Sequence, residues 1–320
     1  MTWRSRILLG CGGVILLAHA GIIGLLVWQP WAPPVVLADP SPEGVRVRIA
    51  GNPANYFPSH GPDPKPGVLI LGGAEGGLGT GSALTARALQ QAGYSTLQFS
   101  YFRAPGQTSK LARVPLEKFH AALAWLKSQP AVDPERIGVI GTSKGAEAAL
   151  LLATRAGDVD AVVAAMPSSH VWQGFSWSGL PVHASSWTER GHDVPSLPFG
   201  EGNVFAHAGS VYRSGLKAAS AHQDAVLAVE RSSARVLLVC GEADTLWPSC
   251  PMARELQKRS PATITVLAYR DAGHAAFGAP AETGFPAGPA AFGGTFEGNR
   301  RARSSSWKET IQFLESSFEE

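Results

Sequence analysis

Cysteine is scarce in this chain, with three in 320 residues, which excludes a disulfide framework and a cysteine-based zinc site. Charge is scarce too: Asp, Glu, Lys and Arg make up 16% of the residues and the formal net charge is only +2. Such a balance carries no electrostatic footprint for nucleic acid, so no nucleic-acid partner is expected. The nine histidines show no pair at metal-ligand spacing, and neither metal nor cofactor is expected. There is no internal repeat and no long run of like charge. What is abundant is apolar side chain, 45% of the residues, enough for a folded chain of one large domain or two small ones. Glycine is abundant as well, at 36 residues, so any short glycine motif arises easily by chance and only its context makes it informative.

Residues 7–28, ILLGCGGVILLAHAGIIGLLVW, contain no charge. At ~1.5 Å per residue such a helix crosses a hydrocarbon core of ~30 Å. It exceeds the roughly 7–15 apolar residues of a cleaved signal peptide. Arg4 and Arg6 precede it and the first charge after it is Asp39, which orients the N-terminus to the cytoplasm and the bulk of the chain outside. A single-pass anchor is therefore expected, with membrane contact through this helix. The alternative is secretion after cleavage near Ala38. LLGC at Leu8 to Cys11 has too little apolar sequence before it to act as a lipoprotein box.

Beyond a Pro-rich linker the pattern alternates. Strands are expected at VRVRI (45–49), PGVLILGG (66–73), STLQFSYF, RIGVI (136–140), VDAVVAA (159–165), RVLLVC (235–240) and TITVLAY (263–269). Helices are expected at 82–93, 115–129, 144–157, 252–259 and 305–318. Residues 167–230 show no clear period, and GGTFEGNRRARSSSW (293–307) reads as a basic loop. Apolar strands alternating with helices predict an α/β protein with a mostly parallel sheet covered on both faces, whose site lies beyond the carboxyl ends of the strands.

The segment RIGVIGTSKGAEAAL puts Ser143 in G-x-S-x-G between a strand and a helix. That is where a nucleophile elbow holds a serine hydroxyl above the sheet. A serine needs a base and an orienting acid, here in the order Ser, acid, His. Asp244 follows the strand RVLLVC and His274 follows TITVLAY, on the same sheet edge as Ser143. Glu242 is a rival acid, and Asp271 reads as an ordinary loop carboxylate. His120, between apolar helix positions, reads as structural, and the histidines of 167–230 as solvated or pocket-lining. The oxyanion donors expected are the amide of Lys144 and one from GGAEGG, Ala74 first and Glu75 next. GGAEGGLG lacks the Lys-Ser/Thr ending of a P-loop.

The segments PGVLILGGAEGG, the run from PLEKFHAALAWL to GTSKGAEAALLLA, MPSSHVWQG, SSWTERG, CGEADTLWPS and AGH resemble the catalytic domain shared by acyl-CoA thioesterases and bile-acid-CoA:amino-acid N-acyltransferases, over roughly 45–318. The resemblance implies an α/β-hydrolase fold, with nucleophile, acid and base on Ser143, Asp244 and His274. Serine as the nucleophile accompanies hydrolysis in that family, and cysteine accompanies amino-acid conjugation. Two departures stand out. The chain leaves no room between span and sheet for the β-sandwich domain of animal members, and the expected topology places the domain where coenzyme A is normally absent. An ester, or a thioester of another carrier, thereby joins acyl-CoA as an expected substrate.

The expected organisation is an anchor and linker over 1–42 followed by a catalytic α/β-hydrolase domain over 43–320, with a cap at about 167–230. In that cap Trp172 and Trp187, joined by Trp247 beside the acid, are expected to line an acyl pocket, although aromatic residues also simply pack a cap. Cys240 and Cys250 either pair in an oxidising compartment or are plain core. The expected function is a serine hydrolase cleaving a small-molecule acyl thioester or ester through an acyl-serine. The alternatives are an acyltransferase with an amine or alcohol acceptor and a non-catalytic membrane-tethered binding protein; peptidase activity is a weaker one.

Overall fold

Four apolar residues in a row, Val68 to Leu71, are all but inaccessible to solvent, and two glycines end the run. A strand of this kind is stable only where both faces are covered. The computed structural model, which describes residues 17–25, 28, 32–202, 204–280 and 292–319, builds the sheet around it. Strands β1 (Val45–Ile49), β2 (Asn52–Phe57), β3 (Lys65–Leu71), β4 (Ser95–Phe99), β5 (Val132–Thr142), β6 (Ala161–Ala165), β7 (Arg235–Gly241) and β8 (Ile264–Tyr269) form one sheet. Its order is β1-β2-β4-β3-β5-β6-β7-β8. Strand β2 is antiparallel to β1 and β4; all other pairs are parallel.

Side chains alternate between two apolar layers, as the two-residue period of a strand requires. Leu69 and Leu71 of β3 and Leu238 of β7 point into one layer, with α2 (Glu117–Lys127), α3 (Lys144–Ala156) and α5 (Ser249–Arg259). Val68, Ile70 and Val239 point into the other, with α1 (Thr80–Gln91) and α6 (Phe296–Phe318). The chain between β6 and β7 carries α4 (Val204–Leu216) and short strand pairings. A separate cluster of Trp172, Leu197, Tyr212, Ala225, Trp247 and Met252 packs it down beside α5. This is the α/β-hydrolase-like architecture expected from the sequence, and it brings the carboxyl ends of β3, β5, β7 and β8 to one edge.

Three elements differ from the sequence reading. Strand β2, NPANYF, was not expected, because Pro and two Asn hide it; all six residues are buried. Its signal is the two-residue turn before it, with Ala50 and Gly51 at φ of 47° and 80°, the left-handed pair that matches hairpin twist. Helix α4 was likewise unseen within 167–230. The basic stretch expected as a loop at 293–307 is mostly helix: α6 begins at Phe296, nine residues before the expected start at 305, and Thr295 caps it by accepting the Gly298 amide at 2.9 Å. Among the described residues no helix is long and apolar enough to cross a membrane. The span expected over 7–28 lies largely outside them, with 17–25 and 28 described as helix.

Candidate active site

Ser143 sits between β5 and α3 at φ 56°, ψ −118°, a left-handed conformation that costs a non-glycine residue of order 1–3 kcal/mol. The fold holds it there by close approach. A methyl group on Gly141 would stand 2.1 Å from the Gly145 carbonyl oxygen, and one on Gly145 would stand 2.4 Å from those of Leu71 and Gly72. Only glycine lets α3 start hard against β5 and the end of β3. The Ser143 amide donates to Ala165 at 2.8 Å, tying the elbow to β6. The side chain tops the N-terminus of a 13-residue helix, whose free amides and dipole favour negative charge.

Asp244 and His274 meet. His274 Nδ1 lies 2.8 Å from Asp244 Oδ2, with side chains only 9% and 2% exposed. Asp244 Oδ1 accepts the amides of Leu246 and Trp247 at 2.9 and 3.2 Å, and Oδ2 also accepts the Ser249 hydroxyl at 2.8 Å. A carboxylate with so many donors acts as an acceptor, so Nδ1 carries the imidazole hydrogen and Nε2 keeps a free lone pair. The two loops are also joined through the Ala243 amide on Ala272 O at 2.9 Å. His274 Nε2 is buried and has no hydrogen-bond partner among the described residues, so it is not bonded to Ser143 Oγ. Such bonds often form only when substrate binds. The rival acids lie elsewhere: Glu242 pairs with Arg254 at the surface, and Asp271 is 3.7 Å from Arg301.

The turn after β3 faces the elbow, and its carbonyls are pinned one by one. Tyr101 Oη donates to Gly72 O at 2.7 Å and to Gly73 O at 3.3 Å. Trp177 Nε1 donates to Ala74 O at 2.9 Å, and Arg103 Nη1 to Glu75 O at 2.7 Å. Because C=O and N–H point opposite ways across a peptide plane, holding the Gly73 carbonyl also fixes the Ala74 amide. No hydrogen bond engages the backbone amides of Ala74 and Lys144 among the described residues. Burial, with Glu75 and Glu147 adding to it, holds the Tyr101 phenol well above its ordinary range, so it stays a donor.

Lys144 and Glu147, one turn apart on α3, form an ion pair with exposures of 2% and 0%. Lys144 Nζ reaches both carboxylate oxygens at 2.7 Å, and Glu147 Oε1 also accepts Trp187 Nε1 at 2.7 Å and the Trp172 amide at 3.2 Å. Burial lowers the Lys144 pKa and raises that of Glu147, and their mutual attraction opposes both shifts. The first turn of the serine helix is thereby fastened to the insertion between β6 and β7. Of the tryptophans expected at a pocket, Trp172 and Trp187 are fully buried with their N–H groups on Ser168 and Glu147. Trp247 packs edge-on to His274 with ring centres 5.8 Å apart, and its Nε1 has no partner among the described residues. Ser249, Tyr101, Arg103 and Glu147 were not expected at the site. Only Ser249, in LWPS, and Glu147, in GTSKGAE, carried a sequence signal.

Cys240, next to the last residue of β7, and Cys250, in α5, are disulfide-bonded with an S–S distance of 2.06 Å. The bridge closes the loop that carries Asp244, Trp247 and Ser249.

Solved structures share this fold at low identity. A puromycin-hydrolysing peptidase of Mycobacterium tuberculosis matches 86% of this chain and 39% of its own at a TM-score of 0.58 and 15% identity. A dienelactone hydrolase-like promiscuous phosphotriesterase from metagenomic libraries matches 86% and 98% at 0.53 and 16%. Among curated proteins, acyl-coenzyme A amino acid N-acyltransferase 2 of Mus musculus is 28% identical over 79% of this chain, and acyl-coenzyme A thioesterase 1 of Rattus norvegicus is 25% identical over 73%. The chain spans 60% and 54% of those two relatives. Residues 114–320 match the family model described as BAAT / acyl-CoA thioester hydrolase C terminal. With well over half its length matched, and the fold to go with it, the chain belongs to the BAAT / acyl-CoA thioester hydrolase C-terminal family.

Proposed function

We propose that this protein is a serine-dependent hydrolase of small-molecule acyl thioesters or esters. In this reading His274 Nε2 takes the Ser143 proton as Oγ attacks the acyl carbonyl. Asp244 holds the imidazole tautomer and stabilises the imidazolium. The Ala74 and Lys144 amides receive the oxyanion. The imidazolium then gives its proton to the departing thiol or alcohol, leaving an acyl-serine. Water, deprotonated by His274, attacks the acyl-serine and releases the acid. The observation that carries the reading is the 2.8 Å Asp244–His274 bond, which leaves Nε2 as the unprotonated nitrogen.

The test is labelling of folded protein with a fluorophosphonate, followed by turnover on a panel of acyl-CoA, acyl ester and peptide substrates. Labelling confined to Ser143, with Ser143→Ala losing about a million-fold in kcat, is the expected result. Retained turnover in that variant contradicts it.

A second reading, favoured by the N-acyltransferases among the relatives, has the same acyl-serine passed to an amine. Conjugate formed in competition with free acid, on adding amino acids, distinguishes it. We also propose an extracytoplasmic location behind the N-terminal span, which the Cys240–Cys250 disulfide supports. Protease accessibility of the domain in intact cells tests that location.

A further inference from the structure

Glu75 is the sole carboxyl group of the turn GGAEGG, and the reaction above gives it no role. Its side chain doubles back over that turn. Oε1 accepts the Gly73 amide at 3.1 Å. Methyl groups built on Gly72, Gly73 and Gly79 would lie 2.9, 2.9 and 3.2 Å from its carboxylate oxygens, so the glycines make the room it occupies. The same methyl on Gly73 would lie 3.4 Å from Ser143 Cβ. Glu75 Oε2 and Ser143 Cβ therefore lie no more than about 6 Å apart.

No ion pair neutralises this carboxyl group among the described residues. The Arg103 guanidinium donates instead to the carbonyls of Glu75 and Pro33 at 2.7 and 2.8 Å and lies over Trp177. The groups that face Glu75 are His274 from the loop after β8, Arg103 and Tyr101 from the segment after β4, Ser82 from α1, and Ser143. Burial raises its pKa, outweighing the amides of Glu75 itself and of Gly73 and the charges of His274 and Arg103, which favour the ionised form. An ionised carboxylate here would oppose the negative charge that develops on the acyl oxygen. One unit charge about 6 Å away, at an effective dielectric near 20, costs roughly a hundred-fold in rate.

We propose that Glu75 is a third member of the oxyanion site, a carboxylic acid that keeps its proton through turnover and presents Oε2–H toward the oxyanion beside the Ala74 and Lys144 amides. The proton that moves is that of Ser143, which passes to His274; the proton of Glu75 is held, as in sites where an apolar setting keeps an acid neutral to donate. Ionisation of Glu75 then switches the site off. The proposal rests on the acyl-serine reading above.

The test compares wild type with E75A and E75Q, each checked for folding by near-ultraviolet circular dichroism, across pH. Wild type is expected to lose kcat/KM on the alkaline side as Glu75 ionises. E75A loses on the order of a hundred-fold at neutral pH. E75Q, which keeps both an acceptor for Gly73 and a neutral donor, recovers most of that loss and lacks the alkaline fall. Thermal unfolding gives a second readout. A carboxyl raised on folding contributes stability that is complete below its unfolded value of about 4.3 and is lost as pH rises through the folded value, so the Tm of E75Q relative to wild type should climb with pH. If E75A does not fold, wild type and E75Q decide alone. E75Q as impaired as E75A at every pH would mean that an ionised base is needed, and overturns the proposal. Wild-type rates and an unchanged pH profile in E75Q overturn it too. Failure of a fluorophosphonate to label wild-type Ser143 overturns the acyl-serine reading instead, so the two failures are separable.

Discussion

Ser249 Oγ and His274 Nδ1 converge on the same oxygen, Oδ2 of Asp244, each at 2.8 Å. A hydroxyl and an imidazole sharing one carboxylate oxygen fix the plane of that carboxylate, and with it the direction in which His274 Nε2 points. Asp244→Asn, which inverts the tautomer, should lower kcat about ten-thousand-fold. Ser249→Ala, which removes only the second donor, should cost about tenfold, with KM little changed. Asp271→Asn should cost less than about twofold, because its side chain is exposed and, among the described residues, pairs with Arg301 at the surface. Steady-state kinetics on one activated ester check all three, and a larger loss in Asp271→Asn than in Asp244→Asn would refute the assignment of the acid.

Tyr101→Phe removes the hydroxyl that holds the Gly72 and Gly73 carbonyls. Loss of a whole oxyanion donor costs about 10²–10³ in kcat, so loosening one should cost about tenfold. The hydrogen bonds themselves contribute about 1 kcal/mol each, and the melting temperature should move by only a few degrees. A normal kcat in a folded Tyr101→Phe protein would mean that the turn holds its shape without the phenol.

Lys144→Met strands the Glu147 carboxylate in the core. Breaking a buried pair in this way typically costs about 3–5 kcal/mol, whereas replacing both partners together is often nearly neutral. Lys144→Met combined with Glu147→Gln should therefore unfold at a higher denaturant concentration than Lys144→Met alone, because Gln still accepts from Trp187. The single variant should also lose stability as pH rises. Glu147 is already raised by burial, and without Lys144 it rises further, so its contribution is complete below about 4.3 and disappears as pH climbs through the folded value. Urea titrations at two pH values read the effect. Equal midpoints for the single and double variants would contradict it.

Replacing both Cys240 and Cys250 by Ala opens the loop that bears Asp244. Closing a loop of this length contributes about 2–3 kcal/mol, and that stability should be lost along with part of kcat. Unfolding curves and kinetics with and without reductant on the parent protein check the same point. A reduced protein of unchanged kcat would show that the loop keeps its shape unaided.

The sequence made the sheet legible wherever strands were apolar runs ended by glycine, as at Val68–Leu71 and Val236–Cys240, because burial on both faces leaves that mark. It hid β2, where Pro53 and two asparagines occupy a strand that is buried all the same, and α4, whose helical period is broken by Gly209. The Asp244–His274 pair was readable because each residue follows a strand on the edge that also carries Ser143. Their supports were not. Tyr101, Trp177 and Arg103 reach the oxyanion turn from 28 to 103 residues away in sequence, a relation that local pattern does not encode. Glu75 stood in plain view in GGAEGG, yet only folding reveals that its side chain doubles back to accept the Gly73 amide.

The most direct test of the account is rapid-quench trapping of the acyl-enzyme with an activated acyl ester, followed by peptide mass mapping. An acyl mass on the peptide containing Ser143, formed in a burst in wild type and absent from Ser143→Ala, is the result expected. Full turnover with no acyl group on Ser143 at any time would contradict it.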